Sequence, residues 1–138
     1  MTVLVFAFIL TTQSLLSHTM HCQVVKGMCD ELVRNKQLEL GDNATILVTG
    51  AAIRDDGKVV RLRNLVLTKA DEDGHVCWVI SAKDAEFTVA LKTGKLHLIA
   101  WEADFINFDE NGLAVGRGWY SDGLWSFQLR SPADKKQK

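Results

Sequence analysis

The spacing of apolar and polar residues changes character once along this chain. From Cys22 to Lys36, the apolar residues Val25, Met28, Leu32 and Val33 recur at helical spacing among Lys26, Asp30, Glu31, Arg34 and Lys36, which predicts an amphipathic helix ending near Asn35. Beyond it the period falls to two. Short runs of branched and aromatic residues are separated by Asp56-Gly57, Asp73-Gly74, Thr93-Gly94, Asn111-Gly112 and Asp122-Gly123. Glycine after Asp, Asn or Thr between alternating runs is the pattern of consecutive antiparallel strands joined by tight turns.

Taken in order, the expected strands begin with 45–53 after Gly41-Asp42-Asn43. The next, 59–69, carries its apolar parity on Val60 and Leu62 and then on Leu65 and Leu67, so a bulge is expected around Asn64. In 75–81, Val76, Trp78 and Ile80 alternate with His75, Cys77 and Val79. The run 86–91 places Phe87, Val89 and Leu91 on one face, and Lys92-Thr93-Gly94 turns it into 95–101, with Leu96, Leu98 and Ala100 on one face. The remaining runs are 104–108, 113–120 and 124–130. Roughly seven or eight strands without intervening helices predict a mainly β protein, an antiparallel jelly roll or sandwich with one N-terminal helix, and exclude parallel α/β folds. The apolar faces must meet inside, around either a packed core or a groove of lipid size.

Composition adjusts this picture at the ends. At 138 residues with 47% hydrophobic content, one domain with a real core is expected. No charged residue precedes Lys26, and residues 3–10 are continuously apolar, so 1–36 reads as an apolar and amphipathic helix able to anchor at a membrane. A basic leader and a small-residue cleavage site are both missing from this stretch. Residues 37–131 form the β domain and 132–138 a disordered basic tail. The net charge of −1, with both signs interspersed, argues against a nucleic-acid partner. Cys22, Cys29 and Cys77 have neither disulfide-framework nor zinc spacing.

The segment Val79-Ile80-Ser81-Ala82-Lys83-Asp84-Ala85-Glu86-Phe87, followed by Leu91-Lys92-Thr93-Gly94-Lys95-Leu96-His97-Leu98, resembles a repeat of bacterial lipopolysaccharide-export proteins, in which an alanine-punctuated strand leads through a glycine turn into another. Together with Ile46 to Leu67, it is similar to the periplasmic jelly-roll domain of the LptF/LptG permease family over about residues 30 to 120. The layout of one anchor helix and one jelly roll is also that of the LptC type. The resemblance implies a non-catalytic domain on the periplasmic face of the inner membrane. Its groove would take lipopolysaccharide or a similar glycolipid, and its strand edges would dock onto other jelly-roll transport proteins. The lipid-groove candidates are Trp78, Phe87, Val89, Leu91, Leu96 and Leu98. The alternative is an adaptor sandwich with a filled interior that binds proteins through its edges.

Other chemistry is thin. His18, His21 and Cys22 would share one side of a helix but lack a fourth ligand, so neither a metal nor another cofactor is expected. His75 and His97 sit alone on strands and are expected to face solvent. Asp84, Glu86, Glu102, Asp104, Asp109 and Glu110 invite a glycosidase reading, but nothing in the spacing sets two of them across a cleft. Gly116-Arg117-Gly118 lacks the strand-turn-helix setting of a phosphate loop and reads as a tight bend. The aromatic residues Trp101, Phe105, Phe108, Trp119, Tyr120, Trp125 and Phe127 are core residues or, in part, the wall of an acyl-chain groove.

Overall fold

The computed structural model describes residues 20–54 and 57–129. A helix, α1, runs over 20–35. Seven strands follow: β1 (Gln37–Glu39), β2 (Ala44–Leu47), β3 (Gly50–Arg54), β4 (Val59–Ala70), β5 (Val76–Ala90), β6 (Lys95–Phe108) and β7 (Ala114–Gln128). They form one antiparallel sheet of order β1-β2-β4-β5-β6-β7, with β3 pairing β4 beside β2. The expected architecture, mainly β and antiparallel with an N-terminal helix, is the one found.

The helix ends as its pattern requires. Val25, Cys29 and Leu32, spaced four and three apart, are buried, while the charged residues of the same turns face outward. Lys36 takes a left-handed conformation (φ 61°), and its N–H donates to the Leu32 carbonyl at 2.9 Å, closing the last turn. The chain then enters β1 and reverses at Asp42 and Asn43, whose φ values of 59° and 58° are those of a two-residue hairpin turn matched to strand twist.

Four long strands bend at a common row. Buried side chains are three apart instead of two at Leu62 and Leu65, at Ala82 and Ala85, and at Ala100 and Ala103. The ladders skip this row: the flanking pairs, such as Arg63 with Asp84 and Leu65 with Ala82, leave Asn64, Lys83, Glu102 and Ser121 side by side without being ladder partners. In this row Asn64 and Glu102, on alternate strands, have φ values of 52° and 51°. Each left-handed residue reverses the inward and outward assignment of its strand. The bulge expected at Asn64 is therefore one member of a row crossing the sheet.

Because of this bend the sheet folds over itself into two facing layers, one holding the first halves of β4 and β6 and the second halves of β5 and β7, the other their complements. The β1–β2 turn reaches the end of β7: the Gln128 N–H donates to Asp42 Oδ2 at 3.1 Å. Gly41 passes so close to Gln128 that a Cβ there would meet the Gln128 carbonyl oxygen at 2.1 Å. Between the layers lie Ile46, Val60, Leu62, Leu65, Leu67, Ile80, Phe87, Val89, Leu96 and Leu98, joined by the apolar stripe of α1. Among the described residues no polar or charged residue is buried.

Several expected boundaries are corrected by the same bend. The run 45–53 is two strands, broken at Val48 and Thr49, because β2 pairs with the second half of β4 and β3 with the first. Conversely, the runs begun at 75–81 and 86–91 merge into the single strand β5 (Val76–Ala90), 95–101 and 104–108 into β6, and 113–120 and 124–128 into β7 (Ala114–Gln128). Asp122-Gly123 is not a turn, and Gly116-Arg117-Gly118 is not a bend: both lie within β7. Irregular residues in mid-strand imitate turns in the sequence, but the neighbouring ladder carries the chain through them.

Candidate functional site

The residues expected to line a groove are mostly buried in the interior. Phe87, Val89, Leu96 and Leu98 are each at most 3% exposed. They stand in paired positions, Phe87 opposite Leu98 and Val89 opposite Leu96, under the cover of the second layer. Leu91 is exposed beyond the end of β5. Of the six, Trp78 is half-buried where it packs against the interior, and Phe87 and Leu98 also border a groove of about 300 Å³ with Leu124 and Trp125.

Trp78 begins an aromatic row that reaches β7, and the solvent-facing rings of that row form the mouth. Trp78 meets Phe105 with ring centroids 5.8 Å apart and Phe127 at 6.2 Å. Phe105 meets Tyr120 edge-on at 6.1 Å, and Tyr120 meets Trp125 edge-on at 5.7 Å. Tilted and edge-on pairs of this kind are the favourable aromatic geometries. The row therefore runs from one layer across the bend to the other. Trp78, Phe105 and Trp125 are half-buried and Tyr120 is 44% exposed, so the row presents ring surface to solvent.

Small residues make room for it. On the inward face of β7, Gly118 pairs with Phe105 and Gly123 with Ala100. The Tyr120 ring leans over Gly118, 3.8 Å from where a Cβ would stand, and the Trp125 ring covers Gly123 at 2.0 Å from such a Cβ. The sequence reading noted these aromatics without selecting them. The glycines alternating with them were the available signal, misread as bends.

Beside the mouth runs an unpaired edge. β7 ends the strand order, so over its 15 residues one side of its backbone pairs with no described strand. Leu113, Val115, Trp119 and Leu124 are exposed along it or just before it. A long edge of this kind, with few charges, is an open template for strand addition.

The other candidate chemistry is dispersed. Asp84 and Glu86 are engaged by arginines on the outer face: Arg54 Nη1 stands 2.6 Å from Glu86 Oε1, and Arg61 lies 3.4 Å from both Asp84 and Glu86. Asp109 Oδ1 accepts the N–H groups of Asn111 and Leu113, closing the β6–β7 turn. Asp71 does the same for Asp73 and His75 in the β4–β5 turn. The backbone N–H of His75, foremost among several contacts, holds the Asp71 carboxyl below its ordinary pKa. Asp71, Asp73 and His75 bring ligand atoms within 4.8 Å of one another, all on exposed side chains. His97 is exposed, with Nδ1 2.7 Å from Ser126 Oγ.

Of His18, His21 and Cys22, His18 lies outside the described residues. His21 Nε2 is buried without a hydrogen-bond partner among them, and Cys22 Sγ lies 3.4 Å from where Gly57 would carry a Cβ. Burial, with a smaller contribution from Asp30, pushes the Cys29 thiol up. No described helix is long and apolar enough to cross a membrane, and the apolar stretch 3–16 lies outside the described residues. Set against known proteins, the chain matches no family model and no curated sequence.

Proposed function

We propose that this chain is a non-catalytic jelly-roll module that handles an amphipathic glycolipid of the lipopolysaccharide kind, acting at the periplasmic face of the inner membrane. The carrying observation is the juxtaposition of the aromatic row at the mouth with the unpaired edge of β7. An acyl chain needs a continuous apolar wall without hydrogen-bond demands, and half-exposed rings supply one at a mouth that solvent reaches. Strand addition along β7 by a similar domain would set two such mouths in line. The apolar N-terminal segment, in this reading, holds the module at the membrane. The sequence resemblance over residues 79–98 supports the same assignment.

The burial of Phe87, Val89, Leu96 and Leu98 favours a second reading, an adaptor that binds protein through β7 and carries no lipid. Photocrosslinking amino acids placed in cells at Phe105 and Tyr120 in the mouth, at Val115 and Trp119 on the edge strand, and at Val89 and Leu98 as buried controls separate the two. Lipid captured at the mouth and protein on β7 supports glycolipid handling. Protein on β7 with no lipid at either mouth position removes that reading in favour of the adaptor.

A further inference from the structure

The outward face of the sheet carries a second feature, on the side opposite the aromatic mouth. Because each long strand spends two successive residues outward at the bend, side chains are twice as dense there. Arg63, Asp84, Trp101 and Asp122 form one row, and Asn64, Lys83, Glu102 and Ser121 the next. Asp104 and Trp119 pair in the following outward row. A groove of about 650 Å³ lies over this band, lined by Trp101, Trp119, Asn64, Lys83, Glu102 and Asp104 among others. Its size is that of a small-molecule site.

The groove is organised before any ligand arrives. Arg61 covers the Trp101 ring at 5.8 Å from its centroid and also reaches Asp84, so the indole is braced from one side. Trp119, 61% exposed, stands as a second plate on β7. Asn64 is held by donating to Thr49 Oγ1 at 2.8 Å. Glu102 occupies a left-handed conformation at φ 51°, which a glutamate adopts only against a backbone cost, and strain of this kind concentrates at functional positions. The carboxylates of Glu102 and Asp104 make no hydrogen bond or ion pair with any described residue.

We propose that this outward groove, formed by Trp101, Trp119, Lys83, Glu102 and Asp104, binds a neutral saccharide. A sugar ring offers a C–H face that stacks on an indole and a rim of hydroxyls that both donate and accept. Carboxylates at Glu102 and Asp104 accept from that rim, and the Lys83 ammonium and Ser81 hydroxyl donate to it. An anionic ligand would meet the unpaired carboxylates of Glu102 and Asp104 against the Lys83 ammonium, Asp84 being paired with Arg61. A lipid tail would strand the same charges without partners. The inference is independent of the glycolipid reading, since it uses the opposite face of the sheet and none of the mouth residues.

The test is a glycan array probed with the full chain and its Trp119→Ala and Glu102→Gln variants, followed by tryptophan-fluorescence titration with the best-retained neutral oligosaccharide. Trp119 is exposed on an edge strand and Glu102 is exposed, so both variants retain the wild-type circular dichroism spectrum. Binding weakened at least tenfold by Trp119→Ala and severalfold by Glu102→Gln supports the site. An array retaining no neutral glycan overturns it, as does retention unchanged in Trp119→Ala. Quenching by tetramethylammonium with no response to the glycan overturns it in favour of a cation cage.

Discussion

Trp78 and Phe127 stand with ring centroids 6.2 Å apart, yet the register places them at opposite ends of the sheet. Phe127 pairs with Leu96 and Leu96 with Val89, eleven residues along β5 from Trp78. On a straight strand that is a separation of about 36 Å. Only the bend through Asn64, Lys83, Glu102 and Ser121 brings the two rings together, so their contact measures closure of the two layers. Trp78→Ala should cost about 2–4 kcal/mol, somewhat below the range for a fully buried aromatic, and should be less than additive with Phe127→Ala. Urea denaturation of both single variants and the double variant supplies the cycle. Full additivity would mean that the rings do not couple the layers.

Gly123→Ala tests the same surface from beneath. Its new Cβ would stand 2.0 Å from the Trp125 ring, so the indole must swing away and lose its edge-on contact with Tyr120. The expected loss is about 1–3 kcal/mol, the usual cost of inserting a methyl group where a side chain already lies. A shift in tryptophan emission toward the solvent-exposed value should accompany it. Unchanged emission with unchanged stability would count against the ring position.

At the bend, Asn64 suits its left-handed conformation and its amide bridges to Thr49, whose own N–H donates to the Arg63 carbonyl at 3.0 Å. Replacement by Val should cost about 2–3 kcal/mol, combining the strain of a branched residue at positive φ with the lost hydrogen bond. Glycine keeps the conformation and loses only the bond, so Asn64→Gly should cost about 1 kcal/mol. Thermal denaturation ranks the two. Equal losses would show that conformation is not what selects asparagine.

Helix docking separates by face. Leu32 is fully buried and its neighbour Val33 is 48% exposed. Leu32→Ala should cost about 2–5 kcal/mol, and Val33→Ala no more than about 0.5 kcal/mol. Similar values for the two would show that α1 does not pack through the stripe of Val25, Cys29 and Leu32.

The β4–β5 turn should respond to acid. Because the folded pKa of Asp71 lies below its unfolded value, its contribution is fully present above the unfolded pKa of about 4 and disappears as pH falls through the lower folded value. The Asp73 amide, which donates to Asp71 Oδ1, should move its NMR chemical shift as pH falls below about 4. In Asp71→Asn, which keeps an acceptor but no charge, that movement should vanish. Persistence of the movement in the variant would assign it to another group.

The parity of Val60, Leu62, Leu65 and Leu67 showed in the sequence that β4 reverses its faces near Asn64, and the spacing of Val25 and Leu32 showed which side of α1 is buried. The turns at Asp73-Gly74, Thr93-Gly94 and Asn111-Gly112 were equally readable, and each glycine has the positive φ such turns demand. The candidate site was only half legible. Trp101, Trp119, Tyr120 and Trp125 could be named, but alternation alone does not distinguish an aromatic that plugs the interior from one that stands at its rim.

The sequence by itself thus determined the period of each segment, the antiparallel class and many of the inward residues, because these follow from side-chain alternation within a few residues; it did not determine Leu91 or Val33, which are exposed. Tertiary structure decided the rest. That Asp122-Gly123 continues a strand, that Phe127 meets Trp78, and that Glu102 and Asp104 share a groove with two tryptophans all depend on a bend propagated through four paired strands. Such a bend arises from ladder pairing between residues distant in the chain, and no local run of residues encodes it.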